Sequence, residues 1–179
     1  AAAMQAPGPL YRVMVIGVLA LQGGFEDHSR AIARLGGLTR EVRGPLDLEG
    51  LDGIILPGGE SSAMGIVEAG SGSAGLVSAL RTLIAAGLPA FGTCAGLILL
   101  AVLDWGEAVP LATVKATPCA AAKDAVRDYF DESAVPTVAV AVRQGNIIAT
   151  AFHPELTDDS RWHQLFLDIC KEYAKSSSS

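Results

Sequence analysis

A cysteine between two glycines constrains this chain more than any other segment. Residues 92–96 read Gly-Thr-Cys-Ala-Gly, and apolar runs at 88–91 and 97–101 flank them. An apolar run, a short glycine-bounded turn and a second apolar run indicate a buried strand, a tight turn and a helix. The pattern G-x-C-x-G is the thiol version of the nucleophile elbow, which presents a reactive side chain at the end of a strand. The segment therefore predicts an α/β architecture with Cys94 at the turn.

The position of Cys94 also predicts its chemistry. We expect the glycines on either side to allow the sharp bend and to keep other side chains away from the sulfur. The sulfur would lie near the N-terminus of a helix, where the helix dipole favours thiolate over thiol. A cysteine in such a place indicates a hydrolase or transferase that forms a thioester.

The rest of the chain alternates strand-like and helix-like segments. Apolar runs predict strands, and apolar residues at helical spacing predict helices. The predicted strands cover 13–19, 39–42, 53–57, 88–91, 137–142 and 146–152, and the predicted helices cover 25–35, 74–86 and 160–173. Alternation of this kind predicts one α/β domain with a central, mostly parallel sheet and helices on both faces. We assign residues 1–9 to a flexible leader, 10–175 to this domain and 176–179 to a disordered tail.

Composition excludes several other classes of protein. The 179 residues carry a net charge of −6, and only 18% of them are charged while 50% are hydrophobic. No cluster of Lys and Arg is dense enough to predict nucleic-acid binding, and no apolar run is long enough to predict a membrane span or a signal peptide. The three cysteines, at 94, 119 and 170, lack metal-ligand spacing, which favours a reduced cytoplasmic protein without metal or cofactor.

A histidine and a glutamate follow the last predicted strand. Residues 152–155 read Phe-His-Pro-Glu, and residues two apart in an extended segment point to the same side. We expect His153 and Glu155 to lie at the carboxyl edge of the sheet beside Cys94, with His153 as the base and Glu155 fixing its tautomer. His28, in a polar helical segment, and His163, on the last amphipathic helix, are expected at the surface.

Two backbone amides are candidates for stabilising an oxyanion. One belongs to Ala95, directly after the cysteine, and the other to Gly59 in the loop Pro-Gly-Gly-Glu-Ser-Ser at 57–62. This loop follows a predicted central strand, so we expect it at the same edge. A phosphate-binding loop is excluded here, because no G-K-[ST] sequence follows the glycines.

Taken together, these segments resemble those of class I (triad) glutamine amidotransferases, which have a flavodoxin-like fold. Within that superfamily the chain resembles the glutaminase subunits of pyridoxal 5'-phosphate synthases. The segments that carry the resemblance are 17–23, 55–62, 91–101, 142–146 and 152–157. They cover both ends of the predicted domain, and as a set they are specific.

The resemblance implies hydrolysis of L-glutamine to L-glutamate and ammonia by Cys94, His153 and Glu155. It implies glutamine contacts from Gly59, Glu60 and Ser61, and oxyanion donors at the Gly59 and Ala95 amides. The partner that it implies is a (β/α)8-barrel synthase, to which ammonia is delivered and without which the glutaminase is poorly active. Gln22 would then lie at the partner interface or the ammonia exit.

The middle of the chain departs from the family pattern. The family has an Arg-Asn pair that helps to bind glutamine, whereas Ala116 or Thr117 stands near the place of that arginine. Residues 118–136 do not match, and the interval from Cys94 to His153 is short. Either a segment of the protein is missing from this sequence, or the homologue has lost part of its glutamine pocket. The second case would give a catalytically impaired binding or regulatory protein.

Overall fold

The described residues form one seven-stranded sheet, in which only β6 runs against the other strands. The strand order is β2-β1-β3-β4-β7-β6-β5. Strands β2, β1, β3, β4 and β7 pair in parallel, whereas β6 pairs antiparallel with both β7 and β5. The strands are β1 Val15–Leu19, β2 Leu38–Val42, β3 Gly53–Leu56, β4 Ala90–Thr93, β5 Val109–Lys115, β6 Thr137–Gln144 and β7 Ile147–Thr150.

The computed structural model describes residues 13–21, 24–59, 70–102, 109–115 and 137–176. The predicted leader, residues 1–9, lies outside the described residues, as do 177–179 of the predicted tail. The four described α-helices are α1 Phe25–Arg34, α2 Gly70–Ala85, α3 Ala95–Val102 and α4 Arg161–Ser176. Two short 3-10 helices cover Pro45–Leu48 and Pro154–Leu156.

Helices cover both faces of the sheet because the central strands are apolar on both sides. On one face, Leu56 of β3 packs in a cluster with residues of α2 and α3, including Leu80 and Leu99. On the other face, Ile55 belongs to a cluster with Ile32 and with apolar residues of α4. The neighbouring residues 55 and 56 thus point to opposite layers, as strand geometry requires. The predicted α/β class with a mostly parallel sheet is confirmed.

Parallel pairing brings several strand ends to one edge. Strands β1, β3, β4 and β7 all finish there, and they are followed by residues 20–21, the loop after Leu56, Cys94 and the segment that leads to His153. Open α/β sheets place their binding sites outside the carboxyl ends of such strands. The fold therefore collects the chemically active segments of the sequence at a single edge.

Candidate active site

Cys94 occupies the turn between β4 and α3 in a strained conformation. Its φ is 50°, and it is the only non-glycine residue with positive φ in the described part of the chain. Its N–H donates to the carbonyl oxygen of Thr150 at 2.8 Å, which ties the turn to β7. A non-glycine residue in this region costs roughly 1–2 kcal/mol and persists only where its surroundings enforce it. The strain at Cys94 is the geometry expected of a nucleophile elbow.

The two glycines of the turn serve close packing rather than the bend itself. Neither Gly92 nor Gly96 has a positive φ, so the expectation that they relieve the bend is wrong in that respect. A Cβ on Gly96 would overlap the backbone carbonyl oxygen of Leu56 and lie 2.8 Å from its carbonyl carbon. A Cβ on Gly92 would lie 2.6 Å from Leu100 Cδ1 and 2.7 Å from the Gly96 oxygen. Both glycines let the first turn of α3 lie directly against the strands.

His153 and Glu155 form a hydrogen-bonded pair after β7. His153 Nδ1 lies 2.7 Å from Glu155 Oε1, so the ring donates this N–H to the carboxylate. The Glu155 side chain is only 1% exposed, while that of His153 is 37% exposed. This bond holds the proton on Nδ1 and leaves Nε2 of His153 to accept a proton from a reacting group.

Gly58 is the point at which Cys94 and His153 meet. A Cβ on Gly58 would lie 2.9 Å from Cys94 Cβ and 3.2 Å from His153 Nδ1, and it would overlap His153 Cε1. The loop after β3 therefore runs between the cysteine and the histidine, with room for backbone only. The structure thus brings together the residues that the sequence placed at one edge.

The two expected oxyanion donors lie beside the cysteine. Ala95 is the first residue of α3, where the helix itself offers no partner for the N–H. Gly59 is half-buried with a φ of 157°, and the preceding Gly58 N–H donates to Thr93 Oγ1 at 3.2 Å. Glu60, Ser61 and Gln22, which the resemblance places in the substrate and partner contacts, lie outside the described residues.

Comparison with known proteins agrees with this geometry. The sequence pattern of the SNO glutamine amidotransferase family matches residues 18–117, which is more than half of the chain. The chain belongs to this family. A pyridoxal 5'-phosphate synthase subunit PdxT from Corynebacterium jeikeium is 42% identical over 89% of this chain and 98% of its own length. A PdxT from Thermobifida fusca is 39% identical over 87% of this chain and 96% of its own length.

Solved structures support the same fold for this glutamine amidotransferase. A crystal structure of a glutamine amidotransferase superposes with a TM-score of 0.62 and 30% identity, covering 87% of this chain and 98% of the other. The structure of PurLQS from Thermotoga maritima superposes with a TM-score of 0.58 at 14% identity, covering 87% of this chain and 98% of the matched one, which shows the shared fold alone.

Two histidines of this glutamine amidotransferase lie in the interior, which corrects their expected surface position. His28 on α1 is 0% exposed and His163 on α4 is 1% exposed. Their rings lie 2.9 Å apart between His28 Nδ1 and His163 Nε2. Burial lowers the pKa of His28 from 6.5 to about 3 and the pKa of His163 to about 4, so both rings are neutral near pH 7.

Helical spacing was the signal for these buried positions. His28 lies three residues after Phe25 and four before Ile32, on the face of α1 that packs on the sheet. His163 lies three residues before Phe166 and four before Leu167 on α4. Because side chains three and four apart share a helix face, the spacing predicts burial even though polar residues adjoin both histidines.

Of the two remaining cysteines of the glutamine amidotransferase, only Cys170 is described. Cys170 is buried among apolar residues of α4, and burial raises its pKa well above its ordinary value. Cys119 lies outside the described residues. Within the described ranges, no three His, Cys, Asp or Glu side chains converge as metal ligands do. None of the helices described here combines the length and apolar character needed to cross a bilayer.

Proposed function

We propose that this chain hydrolyses L-glutamine to L-glutamate and ammonia, with Cys94 as the nucleophile, His153 as the acid and base, and Glu155 as the carboxylate that orients His153. The observation that carries this proposal is the meeting of Cys94 and His153 at Gly58 in a member of the glutamine amidotransferase family. The hydrogen bond from His153 Nδ1 to the buried Glu155 carboxylate supports the role of each residue.

The first half-reaction forms a thioester. The Cys94 sulfur gives its proton to His153 Nε2 and attacks the side-chain amide carbon of glutamine. The C–N bond then breaks, and His153 returns the proton to the leaving nitrogen, which departs as ammonia. Glu155 stabilises the imidazolium that forms between the two proton transfers, since its Oε1 accepts the Nδ1–H throughout.

The second half-reaction releases glutamate. His153 takes a proton from a water molecule, whose oxygen attacks the thioester carbon. The C–S bond breaks, and the sulfur recovers the proton from His153. In both halves the Ala95 and Gly59 amides would donate to the oxyanion, and Glu60 and Ser61 would join Gly59 in holding the glutamine.

A synthase is the partner to which the ammonia would pass. Curated relatives are subunits of pyridoxal 5'-phosphate synthase, which supports a cytoplasmic complex with a (β/α)8-barrel synthase. Apolar side chains at the active-site edge support the same proposal, because Leu21 is 39%, Ile98 55% and Leu156 67% exposed. Gln22, adjacent to Leu21, would lie at the interface or the ammonia exit. The proposal requires no cofactor, metal, nucleic acid or membrane.

A second candidate is a binding or regulatory protein with an impaired glutamine pocket. The alignment with the Corynebacterium jeikeium protein spans 195 positions but only 89% of 179 residues. Since that share is about 160 residues, the relative has roughly 35 residues with no counterpart here. A missing pocket segment would weaken glutamine binding while leaving the elbow and the His153–Glu155 pair in place.

Ammonia release separates the two candidates. The chain is assayed with L-glutamine, by itself and with the synthase, beside the Cys94→Ala variant and a Cys119→Ala control. A glutaminase releases ammonia in the parent and in the control, and loses that release with Cys94→Ala. A parent that binds the synthase but releases no ammonia supports the binding protein. Equal release by Cys94→Ala and the parent would refute Cys94 as the nucleophile.

A further inference from the structure

The inner oxygen of Glu155 faces the buried histidine His28. Oε1 of Glu155 accepts the hydrogen bond from His153, whereas Oε2 lies 3.4 Å from His28 Nε2. Both side chains at this second contact are almost fully buried, at 0% and 1% exposure. Oε2 makes no hydrogen bond among the described residues, and His28 Nε2 contacts it at ion-pair distance only. The two oxygens of one carboxylate thus point at two imidazole rings on opposite sides.

The neighbours of His28 select one tautomer of its ring. Its Nε2 lies near Glu155 Oε2 and 3.2 Å from Thr93 Oγ1. A carboxylate oxygen only accepts, so a bare Nε2 would set a lone pair against a negative charge, and the proton belongs on Nε2. His28 Nδ1 is then an acceptor, and His163 Nε2, 2.9 Å away, must donate to it. His163 Nδ1 is left as a bare buried nitrogen without a partner in the described part of the chain.

Three separate elements hold this arrangement in place. His28 comes from α1, His163 from α4 and Thr93 from the end of β4. The Phe91 ring packs edge-on against both histidines, with centroids 6.1 Å from His28 and 5.6 Å from His163. Thr93 Oγ1 also accepts the Gly58 N–H, which connects the histidines to the loop between Cys94 and His153. Because the rings are packed and neutral, they have little freedom to turn away from Glu155.

Among the described residues, several charged side chains share an open groove with Glu155. This groove of about 610 Å³ is also lined by Asp27, Arg30, Arg34 and Asp158. Arg34 pairs with the fully exposed Asp158 at 3.5 Å, and its charge adds to burial in lowering the pKa of His163. On the inner side, His28 is the donor within reach of Oε2.

We propose that His28 is a positioning residue, whose Nε2–H restrains Glu155 Oε2 so that Oε1 stays aligned with His153, while His163 fixes the required tautomer of His28. This inference rests on the proposed function, since it assigns the orienting role to Glu155. His28 and His163 touch no reacting atom in this scheme and act through the carboxylate alone.

Two amide substitutions of His28 test the restraint with nearly equal size and polarity. The amide nitrogen of Gln reaches the place of His28 Nε2, whereas that of Asn reaches only the place of Nδ1. We expect His28→Gln to keep kcat within about threefold, and His28→Asn to lower kcat by roughly tenfold or more, because Asn removes the N–H that lies nearest to a buried carboxylate oxygen. KM for glutamine is expected to change little in both, because neither position faces the substrate. His28→Leu, if it folds, should behave as His28→Asn does.

Nitrogen NMR supplies a readout that does not depend on turnover. The chain has three histidines, so single variants assign every ring. We expect the proton on Nε2 in His28 and His163, and a His153 Nδ1–H resonance that shifts in His28→Asn but not in His28→Gln. A proton on His28 Nδ1, or equal changes in both amide variants, would overturn the restraint. A parent with the expected tautomers but no glutamine hydrolysis would instead overturn the proposed function and leave the restraint supported.

Discussion

Replacing Gly58 by alanine probes the contact on which the proposed catalysis depends. The added methyl group would lie 2.9 Å from Cys94 Cβ and would overlap His153 Cε1. Carbon atoms pack at about 3.5–4.0 Å, so the methyl group and Cys94 Cβ must separate by roughly 0.6–1.1 Å, and the methyl group and His153 Cε1 by at least about 1 Å. His153, which is 37% exposed, can move, whereas Cys94 is fixed by its backbone between β4 and α3. A displacement of about 1 Å in a catalytic group lowers the rate about 100-fold, and we expect kcat to fall by that factor.

The assay compares ammonia release with thermal unfolding. The φ of Gly58 is not positive, so the backbone accepts alanine and we expect the Gly58→Ala protein to fold. Gly75→Ala is the matched control, because its methyl group would meet only Pro45 Cγ at 3.6 Å on the exposed side of α2. We expect that control to keep full activity and its free energy of unfolding to rise by about 0.5–1 kcal/mol, because alanine has a higher helix propensity than glycine. A folded Gly58→Ala protein whose kcat stays within about threefold of the parent would refute the assignment of His153 as the base.

Three further outcomes follow from the same geometry. Gly96→Ala places a methyl group against the Leu56 backbone. We expect the free energy of unfolding to fall by about 3 kcal/mol and the Tm measured by calorimetry to fall by roughly 6–12 °C. An unchanged Tm would contradict the close packing of Gly96 on Leu56. Glu155→Gln should lower kcat by roughly 100-fold or more in steady-state kinetics with little change in KM, and a wild-type kcat would exclude its orienting role. The lowered pKa values of His28 and His163 (about 3 and about 4) mean that the unfolded chain binds protons which the native state does not. As the pH drops below about 6.5, the free energy of unfolding should therefore decrease by up to about 1.4 kcal/mol per pH unit for each histidine. Urea unfolding measured at several pH values should show a weaker dependence of this free energy on pH in His28→Gln than in the parent.

Local sequence patterns were sufficient to predict the strands and the helix around Cys94. The apolar runs before and after the turn became β4 and α3, and the strand before His153 became β7. Boundaries moved by a few residues, as for α4, which runs to Ser176 rather than ending near Tyr173. Helix ends depend on capping and on tertiary contacts, which apolar periodicity does not contain.

The pairing of His153 with Glu155 could be predicted, but the histidines behind it were missed. The pair lies within three residues of one segment, so the two side chains start close together. The expected extended conformation is wrong, however, because His153 caps a 3-10 helix at Pro154–Leu156 that contains Glu155. His28 and His163 are 135 residues apart and meet only because α1 and α4 pack on the same face of the sheet. Polar neighbours such as Arg30 suggested an exposed face, whereas the spacing to the apolar residues of each helix indicated the buried one.

Two buried histidines are a costly choice for a sheet face that is otherwise apolar. Leucine at either position would bury more apolar surface and would avoid the loss of stability in acid. A buried polar pair that lacks some of its hydrogen bonds stabilises a core less than an apolar pair does, so it needs another role. His163 Nδ1 has no hydrogen-bond partner among the described residues. In the proposed scheme the group served is Glu155, whose buried inner oxygen makes no hydrogen bond among the described residues and has His28 Nε2 at 3.4 Å. Residues that do not suit their local environment occur mainly at functional sites. These two histidines lie behind Glu155, the carboxylate whose orientation the proposed chemistry requires.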